Sequence, residues 1–302
     1  MSIFTSSLRR SSLRCWSAHV APISPVTRST HSSSLGASGF VNVRDAKLFY
    51  IKNGSSGTPL LCMPGAMGTA ETDFGPQLRG LSDTMQVVSF DPRGYGRSRP
   101  PARDFPDGFY QRDADDAAAL MKVLGHERYA LMGWSDGAIS AVMHAASYPD
   151  AVECLVIFGG NAYLTPLDRE AFEATRDVEA TWSKRMKETL YPVYGADGLQ
   201  KMWGAAVDAW AAILEEDGGD ICMAQAKSIT CPTMILHGAK DPICLSEHPE
   251  WFKANIPGDG NTSLHVLPEG KHNLHIRFAD EVNELVRDFV GRMVAKSHLD
   301  TS

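Results

Sequence analysis

A pentapeptide of the form G-x-S-x-G stands at residues 133–137, between an apolar segment and an alanine-rich one. The apolar segment 128–132 is typical of a buried strand, and 138–148 can form a helix that ends before Pro149. A sharp turn between a strand and a helix favours glycine on both sides, because a Cβ would clash with the crowded backbone. The turn holds its serine outward at a helix N-terminus, where negative charge is stabilised. The pattern therefore predicts that Ser135 is a nucleophile.

A serine nucleophile needs a general base, and the base needs an acid that orients it. Where this turn occurs, the chain order is serine, then acid, then histidine. Asp241 follows the apolar segment 231–237 after a short loop, and His272 follows the apolar segment 263–267 in the same way. Because the carboxyl ends of parallel strands meet at one edge of a sheet, Ser135, Asp241 and His272 are predicted to converge there.

Both partner assignments have alternatives. Asp241 precedes Pro242, and this pair also starts ordinary turns. His275 competes with His272 as the base; we favour His272, because it directly follows the loop, whereas His275 falls close to the next predicted helix. His144, within the helix after the serine, is a weaker candidate for the base.

A second loop is expected to supply the oxyanion hole. The segment 64–68, Pro-Gly-Ala-Met-Gly, follows the apolar strand 59–63, at the place where proteins with this kind of serine turn carry a backbone donor. We predict that this donor is the N–H of Ala66 and that its partner is the N–H of Asp136, next to the nucleophile. Two preformed donors aimed at a developing oxyanion lower the barrier by several kcal/mol.

These motifs and their order resemble the α/β-hydrolase fold, as does the sequence D-P-R-G-Y-G-R-S at 91–98. The chain is more closely similar to the biphenyl hydrolase-like proteins, also called valacyclovir hydrolases. The stretches that carry this resemblance are E-T-D-F-G-P-Q-L at 71–78, G-W-S-D-G at 133–137, P-E-G-K-H-N-L-H at 268–275 and R-F-A-D at 277–280. It implies a mostly parallel sheet with helices on both faces and a helical lid insertion.

The resemblance also implies an activity, the hydrolysis of α-amino-acid esters through an acyl-enzyme. In that family the acid beside the nucleophile binds the ammonium group of the substrate, and Asp136 matches its position. A structural interpretation of Asp136 is that an acid in the first turn of a helix complements the helix dipole. Two other activities stay open: carbon–carbon bond hydrolysis of ring-cleavage products, which uses the same triad, and general carboxylesterase activity.

Composition limits the cofactors and partners. The 302 residues carry a formal charge of −7, and the 43% hydrophobic content is ordinary for a globular protein. The six cysteines show neither a C-x-x-C pair nor a metal-ligand spacing, so we expect reduced thiols, no metal and no cofactor. We expect a monomer that acts on a small-molecule ester with a free amino group and binds neither nucleic acid nor a membrane.

The N-terminal residues differ in composition from the rest. Residues 1–37 are rich in serine, contain four arginines and contain no acidic residue. This composition is typical of a mitochondrial transit peptide, and a disordered tail is the alternative. We expect one α/β-hydrolase domain over 38–302, with helices and no strand over about 161–228, where a lid would lie above the serine.

Overall fold

The computed structural model describes residues 31–33 and 35–300. Most of the expected mitochondrial presequence lies outside these described residues. The second strand already begins at Gly36 and pairs Ala37 with Lys52, so regular structure starts before residue 38, where the sequence places the domain boundary. The stretch Gly-Ala-Ser-Gly there has no alternation of apolar residues, and its strand forms by pairing with the next one.

Nine strands of the described residues form one sheet, in the order β1-β2-β3-β5-β4-β6-β7-β8-β9. Strands β4 to β9 pair in parallel, whereas β1, β2 and β3 are joined by antiparallel pairing, and β3 pairs antiparallel with β5. The strands are β1 (His31–Ser33), β2 (Gly36–Val43), β3 (Ala46–Asn53), β4 (Thr58–Met63), β5 (Met85–Phe90), β6 (Tyr129–Trp134), β7 (Val152–Phe158), β8 (Thr233–Gly238) and β9 (Thr262–Leu267). The predicted mostly parallel sheet is confirmed.

Helices connect the parallel strands and extend the chain at its C-terminal end. They are α1 (Ala70–Gly80), α2 (Phe109–Val123), α3 (Asp136–Ser147), α4 (Pro166–Ala174), α5 (Val178–Thr181), α6 (Lys184–Tyr194), α7 (Ala196–Glu216), α8 (Met223–Ala226), α9 (Glu247–Asn255), α10 (Leu274–Arg277) and α11 (Ala279–Asp300). Helices α4 to α8 lie between β7 and β8, and we call residues 159–232 the helical insertion. It contains the stretch 161–228 that the sequence predicts to be helical.

The parallel strands are buried on both faces, which explains their continuous apolar sequences. In β4, Leu61 packs into the hydrophobic core on the side of α2 and α3, whereas its neighbour Leu60 packs into the core on the side of α1 and α11. Leu131 and Met132 of β6 divide in the same way. Burying each such side chain contributes about 1.5–3 kcal/mol, so the sheet is a rigid support for the loops at its edge.

The turn after β6 is packed tightly against the end of β4. A Cβ on Gly137 would overlap the carbonyl oxygen of Met63, and a Cβ on Gly133 would overlap the backbone of Gly137. Ser135 between them has φ +55°, in the left-handed region that is strained for a side chain with a Cβ. Both glycines are therefore required for the first turn of α3 to approach β4.

We expect Gly137→Ala to lower the free energy of unfolding by roughly 1–3 kcal/mol or more, because the added methyl group forces the backbone of α3 away from β4. The control is Gly291→Ala, where the added Cβ meets nothing within 4 Å on an exposed face of α11. That change should be neutral or stabilise by up to about 1 kcal/mol. Chemical denaturation compares the two variants, and equal free energies of unfolding would contradict this account.

Candidate active site

Three side chains from the carboxyl edge of the sheet meet in one hydrogen-bonded row. Ser135 follows β6, Asp241 follows β8 and His272 follows β9. The Nδ1 of His272 lies 2.8 Å from Oδ2 of Asp241, and its Nε2 lies 3.1 Å from Oγ of Ser135. Because the carboxylate can only accept, Nδ1 carries the hydrogen and the lone pair of Nε2 faces the serine hydroxyl. The arrangement can remove a proton from Ser135.

The carboxylate of Asp241 is held from both of its oxygens. While Oδ2 accepts from His272, Oδ1 accepts the backbone N–H groups of Ile243 at 2.9 Å and Cys244 at 3.0 Å. Burial acts to raise the pKa of Asp241, but the His272 hydrogen bond and the backbone donors outweigh it, so this pKa is lowered. The carboxyl group therefore stays ionised beside the imidazole and fixes its orientation.

Trp134 supports the imidazole from the strand side. Its Nε1–H donates to the carbonyl oxygen of His272 at 2.8 Å, and the two rings lie 5.4 Å apart. Gly159 has φ +67°, and a Cβ there would stand 3.0 Å from Cε1 of His272. The loop after β7 thus leaves just enough room for the ring.

The competing histidines occupy other environments. His275 is fully buried, its Nε2 lies 2.9 Å from the carbonyl oxygen of Asp73, and burial lowers its pKa to about 3. His144 is also buried; its Nε2 lies 2.7 Å from the Tyr129 hydroxyl, and burial lowers its pKa to about 4. Both stay neutral, and the imidazole that reaches the serine hydroxyl is that of His272.

The loop after β4 lies against the nucleophile. A Cβ on Gly65 would stand 3.1 Å from Cβ of Ser135, so Ala66 follows at the point where the loop meets the serine. The backbone N–H of Gly65 donates to Oδ2 of Asp73 at 2.9 Å, and the hydroxyl of Thr72 donates to Oδ1 at 2.8 Å. Burial raises the pKa of Asp73 to about 7, against these two hydrogen bonds. Asp73 thereby fixes the loop that contains the predicted donor Ala66.

Asp136 is the first residue of α3, so its backbone N–H belongs to the unpaired first turn of that helix. Its half-buried side chain accepts a hydrogen bond at Oδ1 from the hydroxyl of Tyr110, at 3.1 Å. Burial raises the pKa of Asp136 to about 6, although the Tyr110 hydrogen bond and the charge of Arg103 act to lower it. The carboxylate is thus available to a cation and lacks a salt-bridge partner of its own among the described residues.

A small cavity, with room for roughly one water molecule, adjoins Asp136. Its lining includes Gly65, Tyr95, Arg103 and Asp113. Arg103 is buried and donates to both oxygens of Asp113, at 2.7 and 2.6 Å. The charges of Arg103 and Asp113 cancel, so the remaining charge at the cavity is the negative charge of the Asp136 carboxylate.

The helical insertion meets the site at two points. Tyr194, at the end of α6, donates its hydroxyl hydrogen to the carbonyl oxygen of Met67 at 2.8 Å and accepts the backbone N–H of Gly96 at 3.0 Å. Trp210 of α7 donates its Nε1–H to the hydroxyl of Tyr110 at 2.9 Å. The insertion is therefore bonded to the loop after β4 and to the tyrosine that holds Asp136.

Several residues of the site were not singled out from the sequence. Asp73 and Trp134 lie inside stretches that carry the family resemblance, so those stretches contained a signal for them. Tyr110 and Tyr194 had no such signal, because their partners lie far along the chain and the contacts depend on how the helices pack.

The described residues contain no group of three or more histidine, cysteine, aspartate or glutamate side chains that could hold a metal ion. Within the same residues, the helices are too short or too polar to cross a membrane. Five cysteines there are free thiols, and burial raises the pKa values of Cys62, Cys154 and Cys244.

Comparison with known proteins places the chain in a family. The alpha/beta hydrolase family model matches residues 60–285. Serine hydrolase BPHL of Homo sapiens is 43% identical over 251 residues, which cover 83% of this chain and 85% of the human protein, and the Mus musculus protein matches to the same extent. The chain therefore belongs to the alpha/beta hydrolase family. Within that family it is a serine hydrolase, and the resemblance to the biphenyl hydrolase-like proteins is confirmed.

More distant relatives include hydrolases of another kind. The 2-hydroxy-6-oxononadienedioate/2-hydroxy-6-oxononatrienedioate hydrolase of a Pseudomonas species is 25% identical over 299 residues, covering 85% of this chain and 98% of that protein. The solved structure of a meta-cleavage product hydrolase from Pseudomonas fluorescens has a TM-score of 0.70 at 17% identity, and the match covers 84% of this chain and 97% of that chain. This structural likeness shows the common fold alone.

The raised pKa of Asp136 predicts a pH-dependent stability. The pKa of Asp136 is about 6 in the folded protein, compared with 3.8 for a free aspartate side chain. The free energy of unfolding should therefore fall as the pH rises from about 4 to about 6 and Asp136 ionises. Asp136→Asn should therefore raise Tm at ~pH 8 by a few degrees, and the gain should vanish below about pH 4. Thermal melts across this range measure it.

The control for this measurement is Asp150→Asn, at an exposed carboxylate, which should change Tm by less than ~1 °C at every pH. A Tm of Asp136→Asn that falls at ~pH 8 would mean that the ionised carboxylate stabilises the fold through the helix dipole instead.

Proposed function

We propose that this serine hydrolase cleaves small carboxylic esters whose acyl group carries a free α-amino group. The observation that carries the proposal is the half-buried carboxylate of Asp136, the residue directly after Ser135, beside a cavity of negative sign. An ammonium group on the acyl side of the ester would neutralise this charge while the ester carbonyl stands over the serine. The high identity to serine hydrolase BPHL supports the reaction class.

The proposed reaction is acyl transfer to water. Oγ of Ser135 attacks the ester carbonyl while its proton passes to Nε2 of His272, and Asp241 stabilises the imidazolium that forms. The tetrahedral intermediate then expels the alcohol, which takes that proton and leaves an acyl ester on Ser135. Water attacks this ester, gives a proton to His272 and releases the amino acid as Ser135 regains its hydrogen.

The proposed oxyanion hole consists of the backbone N–H groups of Ala66 and Asp136. Its support is the close approach of Gly65 to Ser135 and the position of Asp136 at the start of α3. The hydrogen bond from Gly65 to the buried Asp73 holds the loop in advance, so little reorganisation is required when charge develops on the substrate oxygen.

We also propose that the helical insertion acts as a lid over this site. The contacts of Tyr194 with Met67 and of Trp210 with Tyr110 tie it to the two sides of the site. A covered site excludes water, which strengthens a carboxylate–ammonium pair relative to one at the surface.

A second candidate is carbon–carbon bond hydrolysis of ring-cleavage products. It is favoured by the similarity to the Pseudomonas 2-hydroxy-6-oxononadienedioate/2-hydroxy-6-oxononatrienedioate hydrolase, a match that covers 85% of this chain. That reaction uses the same triad, but its substrates carry carboxylates, which a negative side chain beside the nucleophile would repel. Hydrolysis of a ring-cleavage dienoate should therefore be measured beside hydrolysis of an aminoacyl ester, to distinguish the two candidate functions.

We expect Ser135→Ala to abolish hydrolysis and covalent labelling by a fluorophosphonate probe, and His272→Ala to lower kcat by roughly four to six orders of magnitude. The reason is that both changes remove a member of the row that activates the nucleophile. Ser147→Ala, on the exposed end of the same helix, is the matched control and should label and turn over normally. Labelling that persists in Ser135→Ala would move the nucleophile elsewhere.

We expect Asp136→Asn to lower kcat/KM on an aminoacyl ester about tenfold or more, while kcat/KM on the deaminated ester changes little. The substitution keeps the backbone N–H of the oxyanion hole and removes only the charge. Both esters are assayed side by side on wild type and variant. An equal loss on the two esters would limit Asp136 to a structural role and remove the main support for the amino-acid-ester assignment.

A further inference from the structure

We propose that Tyr110 is a positioning residue that orients the carboxylate of Asp136 for the substrate ammonium group, and that Trp210 of the helical insertion fixes the direction of the Tyr110 hydroxyl. This inference rests on the proposed function, because it concerns how the proposed amino-group subsite is built. It assigns a specificity role to two residues that lie outside the triad and the oxyanion hole.

The direction of the hydrogen bonds follows from the chemistry of the three groups. An indole N–H can only donate, so the bond of 2.9 Å from Nε1 of Trp210 occupies a lone pair of the Tyr110 oxygen. A phenol has one hydrogen, and an ionised carboxylate can only accept. The hydrogen of Tyr110 therefore points to Oδ1 of Asp136, 3.1 Å away.

Burial makes this chain of bonds difficult to replace with water. The exposed fraction is 3% for Tyr110 and 5% for Trp210. The Tyr110 ring packs against Phe109 at 4.0 Å, and the Trp210 ring packs against Phe172 at 4.5 Å. Both side chains are thus held in one position, and removing the Tyr110 hydroxyl takes away the direct side-chain donor to Asp136.

Other charged and titratable groups face Asp136 from several elements, but they act differently. Arg103 and Tyr95 lie in the stretch between β5 and α2, Asp113 lies on α2, and His272 lies after β9. Both terminal nitrogens of Arg103 donate to Asp113, so Arg103 influences Asp136 through its charge. Tyr110 instead forms a direct bond, and it is one of the groups that lower the pKa of Asp136 against burial.

Two consequences follow for the proposed subsite. With Oδ1 held by Tyr110, the carboxylate cannot rotate freely, and the ammonium group is expected at Oδ2. Without the phenol hydrogen, the carboxylate is both less ordered and more easily protonated. The first effect weakens binding of the amino group, and the second moves the pH range in which the enzyme distinguishes an aminoacyl ester from its deaminated analogue.

The experiment measures kcat/KM on an aminoacyl ester and on its deaminated analogue from about pH 5 to 8, for wild type, Tyr110→Phe and Trp210→Phe. We expect Tyr110→Phe to lower the ratio of the two kcat/KM values about tenfold or more near neutral pH, mainly through a higher KM for the aminoacyl ester. The acid limb of the ratio should also move to higher pH. Trp210→Phe should change both quantities in the same direction by a smaller factor, about threefold.

Two matched controls separate this role from general packing. Tyr148→Phe removes another phenol that donates to a carboxylate, that of Asp115 at 3.0 Å. Trp203→Phe changes a second tryptophan of α7, whose Nε1–H donates to the carbonyl oxygen of Thr175 inside the insertion. Both controls should keep the wild-type ratio and pH profile.

The outcomes distinguish the two proposals. A wild-type enzyme without preference for the aminoacyl ester overturns the proposed function and this inference together. A wild-type preference that survives in Tyr110→Phe, or an equal loss of kcat/KM on both esters with an unmoved pH profile, overturns this inference alone. If Tyr110→Phe does not fold, as judged by a thermal melt, Trp210→Phe becomes the test. An unchanged ratio of the two kcat/KM values in Trp210→Phe then overturns the role proposed for the hydrogen bonds from Trp210 through Tyr110 to Asp136.

Discussion

The contact between the first turn of α3 and the end of β4 determines the geometry of the whole site. Because Gly137 has no side chain, the helix comes close enough to the carbonyl of Met63 that Gly65 meets Ser135. The distance between the serine and the loop with Ala66 is therefore set by backbone packing in the core. Asp241 and His272 follow β8 and β9 of the same sheet, and their side chains complete the hydrogen-bonded row with Ser135.

Much of this arrangement could be predicted from the sequence, for a physical reason. Ser135, Asp241 and His272 each follow a short apolar strand, and the ends of parallel strands meet without any knowledge of side-chain packing. Tyr110 and Trp210 could not be found in this way. They lie on two helices, α2 and α7, that are brought together only by tertiary packing. Local sequence patterns therefore could not predict the hydrogen bond between them.

The site also shows two carboxyl groups under opposite electrostatic conditions. Asp241 accepts from His272 and from backbone donors, which keep its pKa low despite burial. Asp136 has one phenol as a direct donor, and its pKa is raised. A buried carboxylate with few hydrogen-bond donors gains more from a nearby cation than one that is fully hydrogen-bonded, and of the two groups Asp136 has the fewer donors.

The helical insertion begins and ends on strands that are neighbours in the sheet, β7 and β8. Because these strands are parallel, the insertion leaves the carboxyl end of β7 and returns to the amino end of β8, and the sheet fixes both points whatever lies between them. The entropy of closing such a loop grows only with the logarithm of its length, about 0.6 kcal/mol for each doubling. Evolution can consequently lengthen or shorten this segment at a small cost in chain entropy, while the serine, histidine and aspartate remain where the sheet holds them.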